Sequence, residues 1–284
     1  MEVQEEKTTL SGALFLCGTP IGNLEDISLR VLRILKEADL IAAEDTRHTR
    51  KLLSHYDIHT RLISYNEHNH DVRGPEIIEK MKAGLRIALV SDAGMPGISD
   101  PGEDLVRLCI REEISVTAVP GPSAVLLALA SSGISTRSFV FEGFIPREGK
   151  KRKEFLENLA AERRTIVLYE SPRRLIKTIE ELIGALGDRQ ASLLREGTKL
   201  YEENLRGRLS EICLELAKRP EVRGECTLVI EGRAVEEKDA DPQEIVDLLR
   251  SLLEQGLSRK DAVARAVGMS RMPRNEIYRL MLSI

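Results

Sequence analysis

The chain has 284 residues, 42% of them hydrophobic, and a formal net charge of −4. That length suffices for two domains with real cores and no disulfide or metal staples, and the acidic balance excludes a generic basic nucleic-acid coat, so any RNA contact must come from local patches. No apolar run approaches the roughly 20 residues that span a bilayer, and the opening MEVQEEKTTLSG is too acidic and polar for a signal peptide; the expectation is a cytoplasmic protein with no membrane partner.

In chain order, short apolar runs at 13–17, 40–43, 61–64, 86–90 and 115–119 read as strands. Amphipathic stretches at 28–37, 46–55, 75–83 and 102–113 read as the helices between them. Pro75 at a first helical position and Gly84 just past the end punctuate one of these. Strands alternating with helices predict βα units and a largely parallel sheet. A glycine-proline turn then leads into an apolar helix at 124–130. A second set follows: strand 139–143, helix 151–161, strand 165–169, helix 172–186 and strands near 190–195 and 225–231. The charged, unpatterned VEEKDAD at 235–241 reads as a linker, and three short helical patterns follow it. The expected organisation is an N-terminal α/β domain at 1–132, a second α/β domain at 133–234 and a helical module at 242–284.

Cys17, Cys109, Cys213 and Cys226 are far apart and form no C-x-x-C pair, which fits a reduced protein. His68 and His70 with Glu67 have the chemistry of metal ligands, but they read better as polar loop residues, so no metal is expected.

In an open parallel sheet, ligands sit beyond the carboxyl ends of the strands. The first such loop, Gly18-Thr19-Pro20-Ile21-Gly22-Asn23, matches neither a dinucleotide fingerprint nor a P-loop. After the second strand come Glu44, Asp45, Thr46 and Arg47. Asp45 reads either as a helix cap or as a site residue, while a carboxylate such as Glu44 at a strand's ligand edge is costly unless exposed or paired. The stretch 91–102 (SDAGMPGISDPG) holds three glycines and two prolines, a fixed loop whose free amides let a ligand approach the backbone. There Asp92 could accept a bond from an ammonium or hydroxyl; the competing reading is a double turn with Asp100 capping the next helix. Pro120-Gly121-Pro122-Ser123-Ala124 offers Ser123 as an N-cap and small residues against which a flat ring can pack. Tyr169-Glu170-Ser171-Pro172 follows a strand and opens a helix, and 196–199 (EGTK) reads the same way.

Taken in order, GTPIGNLEDISLR, AEDTRHT, VSDAGMPGISDPG, VPGPSA, YESP and EGTK match the motifs of the ribosomal RNA small-subunit methyltransferase I family. The chain therefore resembles that family, part of the tetrapyrrole-methylase superfamily, from about Leu14 to Glu231 and weakly beyond. The resemblance implies two α/β domains of the tetrapyrrole-methylase fold with S-adenosylmethionine in the cleft between them. It also implies a homodimer, 2′-O-methylation of a decoding-region cytidine in 16S rRNA, and the assembled small ribosomal subunit as substrate. Carried over residue by residue, it assigns the cofactor to Pro20, Ile21, Ser91, Asp92, Ala93, Gly94, Ile98, Ser123, Ala124 and Tyr169. The chain departs from the pattern at Met95, usually threonine, and at Arg173, usually histidine.

A protonated ribose hydroxyl is a poor nucleophile, so a general base should help, and no metal is needed. Glu44 and Asp45, beside Arg47 at the ligand edge of the first sheet, and Glu170, facing the same cleft from the second domain, are the candidates. Two other readings stay open: a small-molecule methyltransferase acting on a tetrapyrrole-like substrate, and a catalytically silent ribosome-binding protein. The basic run Arg147, Lys150, Lys151, Arg152 and Lys153 favours RNA over the first. So do residues 256–284, with six basic side chains against two acidic ones. The intact glycine loops argue against the second. In the last segment, Ser258 and Asp261 have capping-box spacing. Ala262, Val263, Ala266 and Val267 give that helix an apolar side, Gly268 should end it, and Pro273 suits the start of the next, which turns Ile277, Leu280 and Met281 inward. With 242–253 as a third helix this resembles a helix-turn-helix, and Arg271, Arg274 and Arg279 are its expected phosphate contacts.

Overall fold

The computed structural model describes residues 12–234, 242–270 and 272–284. Its contacts divide the chain into two units, Met1–Arg233 and Ala234–Ile284. The larger unit holds two five-stranded sheets.

The first sheet is built from β1 (Ala13–Cys17), β2 (Leu40–Ala43), β3 (Leu62–Ser64), β4 (Arg86–Val90) and β5 (Ser115–Val119), all parallel, in the order β3-β2-β4-β1-β5. Helices α1 (Leu29–Glu37), α2 (Thr46–His55), α3 (His70–Lys82) and α4 (Glu103–Arg111) connect them. Side chains alternate across a strand, and β2 shows what this does. Ile41 and Ala43 enter one core with Val31, Leu35 and Leu52, whereas Leu40 and Ala42 enter the other with Ile77, Met81 and Leu105. Both faces are covered, which explains why β2 is apolar at every position.

Two helix starts follow the sequence expectation. The Ser28 hydroxyl accepts the Val31 N–H at 3.2 Å, and Asp45 Oδ1 accepts the Arg47 N–H at 2.8 Å. Two differ. Helix α3 begins at His70, so Pro75 lies inside it rather than at its first position. The turn at Asn66, whose carbonyl takes the Asn69 and His70 N–H groups, nucleates the helix early; the bond that proline removes falls on its exposed first turns. The N-cap of α4 is Gly102 at φ +137°, not Asp100. A side chain at Gly102 would also press within 2.8 Å of Leu89 Cδ2, so glycine is required there and Asp100 is left two residues outside the helix.

The second sheet has the order β6-β7-β10-β8-β9 and is mixed. Strands β6 (Phe139–Phe144) and β7 (Thr165–Glu170) are parallel; β10 (Cys226–Ile230) runs antiparallel to β7 and to β8 (Gln190–Arg195), and β8 antiparallel to β9 (Glu203–Arg208). Helices α6 (Gly149–Ala160), α7 (Pro172–Leu186) and α8 (Leu209–Ala217) cover one face. The other face takes α5 (Ala124–Ser132), whose Val125, Ala128 and Leu129 pack on Val167, Leu194 and Val229. The helix that follows the last strand of the first sheet thus belongs to the core of the second and ties the sheets together. The sequence reading has no counterpart for β9 or α8. Strand β9 (ENLRGR) is a polar edge strand paired on one side only and carries little apolar alternation. The 196–199 segment is a turn rather than a helix start: Glu196 and Thr198 sit at φ +52° and +66°, and the chain runs on into β9.

The smaller unit is α9 (Pro242–Glu254), α10 (Arg259–Met269) and α11 (Arg274–Leu282) around its own core of Ile245, Leu249, Leu252, Ala262, Val263, Ala266, Ile277 and Met281. Ser258 caps α10 by accepting the Asp261 N–H at 3.2 Å. Gly268 lies inside that helix, which runs to Met269 with Ser270 as its C-cap, because the Ser270 N–H still reaches the Ala266 carbonyl at 2.7 Å. The expected linker 235–241 and Arg271 lie outside the described residues.

Candidate functional site

Beyond the carboxyl ends of β1, β4 and β5 three loops are knitted together. Thr19 and Gly94 exchange backbone hydrogen bonds of 2.9 and 3.1 Å, and the Thr19 hydroxyl donates to the Ser91 carbonyl at 3.2 Å. A Cβ on Gly18 or on Gly121 would stand 2.7 Å from the other's Cα, so these loops meet backbone on backbone and only glycine fits. The first loop also meets the second sheet, where the Asn23 N–H donates to Thr198 Oγ1 at 3.1 Å.

Between these loops and the ends of β6, β7 and β10 lies a cavity of about 770 Å³, within the usual range for a small-molecule site. Small residues form part of its wall (Ala93, Gly94, Gly121, Ala124) and apolar ones another part (Ile21, Met95, Ile98, Phe144, Tyr169). Phe144 and Tyr169 stand with ring centroids 5.4 Å apart. Burial pushes the Tyr169 phenol up to about 12, so it is neutral at physiological pH. A second cavity of about 570 Å³ borders the first, sharing Ile21, Ala93 and Glu225.

The ten residues to which the resemblance assigned the cofactor all border this pair of cavities. Ile21, Ala93, Gly94, Ile98, Ser123, Ala124 and Tyr169 line the larger, and Pro20, Ser91 and Asp92 the smaller. Met95 lines the larger cavity, while Arg173 is exposed.

The three carboxylates singled out as catalytic are placed differently. Glu44 and Asp45 line neither cavity. They brace the edge of the sheet: Asp45 N–H donates to Asp92 Oδ1 at 3.1 Å, and Asp92 N–H donates to Glu44 Oε2 at 3.2 Å. Burial raises the Glu44 carboxyl above its usual range. Asp45 is held well below it by hydrogen bonds from the Arg47 side chain and backbone. Glu170 borders the larger cavity but is buried, and its oxygens turn to the helix that follows it, α7. Oε1 takes the Ser171 N–H at 2.6 Å and pairs with Arg174 at 2.5 Å; Oε2 takes the Thr178 hydroxyl at 2.8 Å. Glu170 does border the cavity, as expected of a carboxylate facing the cleft, but its position after a strand could not show that Arg174 and Thr178, one and two turns on, would bond both oxygens.

Sequence reasoning missed Asp100 and the β10 edge (Glu225, Cys226, Thr227), all of which line the larger cavity. The clue to Asp100 was Pro-Gly between it and the apolar run, which moves the cap to Gly102. Two further readings are revised. Arg152 is not part of a free basic run; it is buried, bonded to Glu181 at 2.6 Å, to the Pro146 carbonyl at 2.8 Å and to Thr178 at 3.0 Å. His70 Nδ1 lies 2.6 Å from Asp104, which also accepts the Tyr65 hydroxyl at 2.9 Å. Among the described residues no group of three or more His, Cys, Asp or Glu is arranged to hold a metal ion, and no helix is long and apolar enough to cross a membrane.

Residues 13–213 match the family model described as Tetrapyrrole (Corrin/Porphyrin) Methylases. A curated relative from Halalkalibacterium halodurans, named Ribosomal RNA small subunit methyltransferase I, is 44% identical over 276 residues, 95% of this chain and 94% of its own. A relative of the same name from Thermotoga maritima is 50% identical over 222 residues, covering 78% of this chain and 99% of its own. Among solved structures, uroporphyrin-III C-methyltransferase from Thermus thermophilus, complexed with S-adenosylhomocysteine, superposes with a TM-score of 0.55. It is 20% identical, covering 78% of this chain and 97% of that one.

Proposed function

Because the chain belongs to the Tetrapyrrole (Corrin/Porphyrin) Methylases and, among them, to the ribosomal RNA small subunit methyltransferase I family, we propose that it uses S-adenosylmethionine to methylate the 2′-hydroxyl of a decoding-region cytidine in 16S rRNA. The observation that supports the cofactor assignment is the convergence of ten residues, from four stretches of chain, on two adjoining cavities.

The lining fits the group. A flat adenine packs well on Ala93, Gly94, Gly121 and Ala124, and apolar side chains suit its rings and the methyl-bearing sulfur. Gly94 sits at φ +81°, where a Cβ would come within 3.6 Å of Ile21 Cγ2 and 3.7 Å of the Pro122 carbonyl oxygen, so its bare backbone leaves room that a ligand can approach closely. Pro20, Ser91 and Asp92 supply polar atoms in the adjoining cavity. When bound, S-adenosylmethionine supplies a methyl carbon already activated on a sulfonium.

The chain's own work is then to hold the ribose hydroxyl in line, to exclude water and to take up a proton. Of the sequence candidates, Asp45 is a weak base because Arg47 holds it ionised at low pH. Glu44 acts through the Asp92 backbone as a positioning residue. RNA contact is proposed for Arg147, Lys151 and Arg173, exposed and without an ion-pair partner among the described residues, and for Arg259, Lys260, Arg265, Arg274 and Arg279 on the smaller unit, which are likewise exposed. The homodimer and the cytoplasmic location are proposed with it, on family membership alone.

The test is to incubate the protein with methyl-labelled S-adenosylmethionine and purified small ribosomal subunits, then digest the RNA with alkali. A 2′-O-methyl group removes the nucleophile of alkaline cleavage, so the expected label is in one alkali-resistant dinucleotide that begins with cytidine. Label in a base-methylated mononucleotide, or no label, contradicts the proposal.

A further inference from the structure

Three carboxylates line the larger cavity, and two of them are neutralised by their neighbours. Glu170 is bonded by Arg174, Thr178 and Ser171. Glu225 is largely exposed and pairs with Lys199 at 3.2 Å. Asp100 is the third. It is half-buried, and no cation among the described residues lies within ion-pair distance of it.

The loop that carries Asp100 is held in shape from both sides. Gly97, Ser99 and Gly102 take φ values of +83°, +61° and +137°. The Gly97 N–H donates to the Pro101 carbonyl at 3.2 Å, closing the loop beneath Asp100. A Cβ on Gly143 of β6 would stand 3.2 Å from Ser99 Oγ, so the two walls of the cavity come together next to Asp100.

We infer that Asp100 is the proton acceptor for the ribose hydroxyl, a role that rests on the reading of this cavity as the place of methyl transfer. Asp100 faces Glu44 and Asp92 from the first sheet and Tyr169 from β7. Burial pushes its carboxyl up to about 7, the charge on Glu44 adds to this, and the Ser91 hydroxyl opposes it. A base matched to neutral pH combines availability with proton affinity, which the strongly ionised Asp45 lacks. The step balances simply. As the ribose O–H bond breaks, Asp100 takes the proton. The oxygen's electron pair forms the bond to the methyl carbon, and the pair of the breaking carbon–sulfur bond stays on sulfur as a neutral thioether.

Asp100→Asn tests the inference with little risk to the fold, since it is isosteric and removes a partly desolvated charge. In single turnovers on small ribosomal subunits, the wild-type rate should rise with pH through about 7. The asparagine variant should be about 100-fold slower at the plateau and lose that limb. Its affinity for S-adenosylhomocysteine should stay within about threefold of wild type, as an interaction made only in the transition state requires. A second readout needs no turnover: carbon-13 NMR of labelled aspartate carboxyls should show one group titrating near pH 7 that disappears in Asp100→Asn. An asparagine variant as fast as wild type, or no aspartate titrating near neutrality, overturns the assignment. A wild-type protein that shows the titration but leaves subunits unmethylated overturns the functional reading instead.

Discussion

The two sides of the larger cavity present carboxylates in opposite states. On the first sheet, Asp100 stands half-buried in a glycine-rich loop with no cation within ion-pair distance among the described residues. On the second, Glu170 is buried and bonded at both oxygens by α7. Both border the same space, so proximity to a cavity does not decide what an acid does there. What decides is whether its lone pairs are already spent. A spent carboxylate organises the fold, and an unspent one is available to a substrate.

The largest effect that sharpens this contrast is on stability. Glu170→Ala leaves Arg174 and Thr178 without their partner, and breaking such a pair should cost about 2–3 kcal/mol after allowing for the partial exposure of Arg174. Urea denaturation measures it; the folded protein should still methylate within a few-fold of wild type. A stable but inactive Glu170→Ala would reverse the roles assigned to the two carboxylates.

Next comes the wall proposed for the methyl donor. Gly94→Val places a branched side chain at φ +81° beside Ile21, and S-adenosylhomocysteine binding should weaken by about 10-fold in calorimetry. Asp92→Ala should weaken binding less and also lower stability by about 1 kcal/mol, because the Asp45 N–H loses its acceptor.

The stability of Asp100→Asn should have the sign opposite to that of Glu170→Ala. The folded-state carboxyl is raised to about 7 from an ordinary 3.8, so wild type is favoured below the ordinary value and loses that advantage as pH rises through 7. The variant should therefore melt about 2–4 °C above wild type near pH 8, with the gap narrowing on acidification through 7 and closing toward about pH 4. A pH-independent difference would mean that Asp100 is not desolvated.

The smallest effect is expected from the helical unit. A chain ending after Ala234 keeps both sheets and both cavities. The Thermotoga maritima relative is matched over 99% of its length by 222 residues, so that name does not demand a chain of 284. The truncated protein should bind S-adenosylhomocysteine normally and methylate subunits a few-fold more slowly, with a flatter dependence on salt as phosphate contacts are lost. Equal rates at every salt concentration would remove the unit from RNA binding.

Much of this was readable from residue order. The first sheet's strands are apolar runs framed by capped helices, and the ligand loops are rich in glycine and proline, so both announce themselves. What the order hid was partnership. Strand β9 is polar because it pairs on one side only, and a polar edge strand reads as loop. Pro75 marks a helix start by local rule, but the Asn66 turn begins the helix earlier. Asp100 and Glu170 have similar local contexts, each shortly before a proline and a helix. Only the fold reveals that Arg174 and Thr178 reach one of them and that, among the described residues, no cation reaches the other.

The most direct measurement is calorimetric titration of S-adenosylhomocysteine into wild type and Ala124→Phe. Ala124 opens α5 and lines the larger cavity, so a phenyl ring there fills the space proposed for the donor while leaving the helix's core residues Val125, Ala128 and Leu129 untouched. The wild type should bind one ligand per chain, and the variant should bind at least about 10-fold more weakly at an unchanged melting temperature. Equal affinity in the two proteins would contradict the assignment of this cavity to the methyl donor.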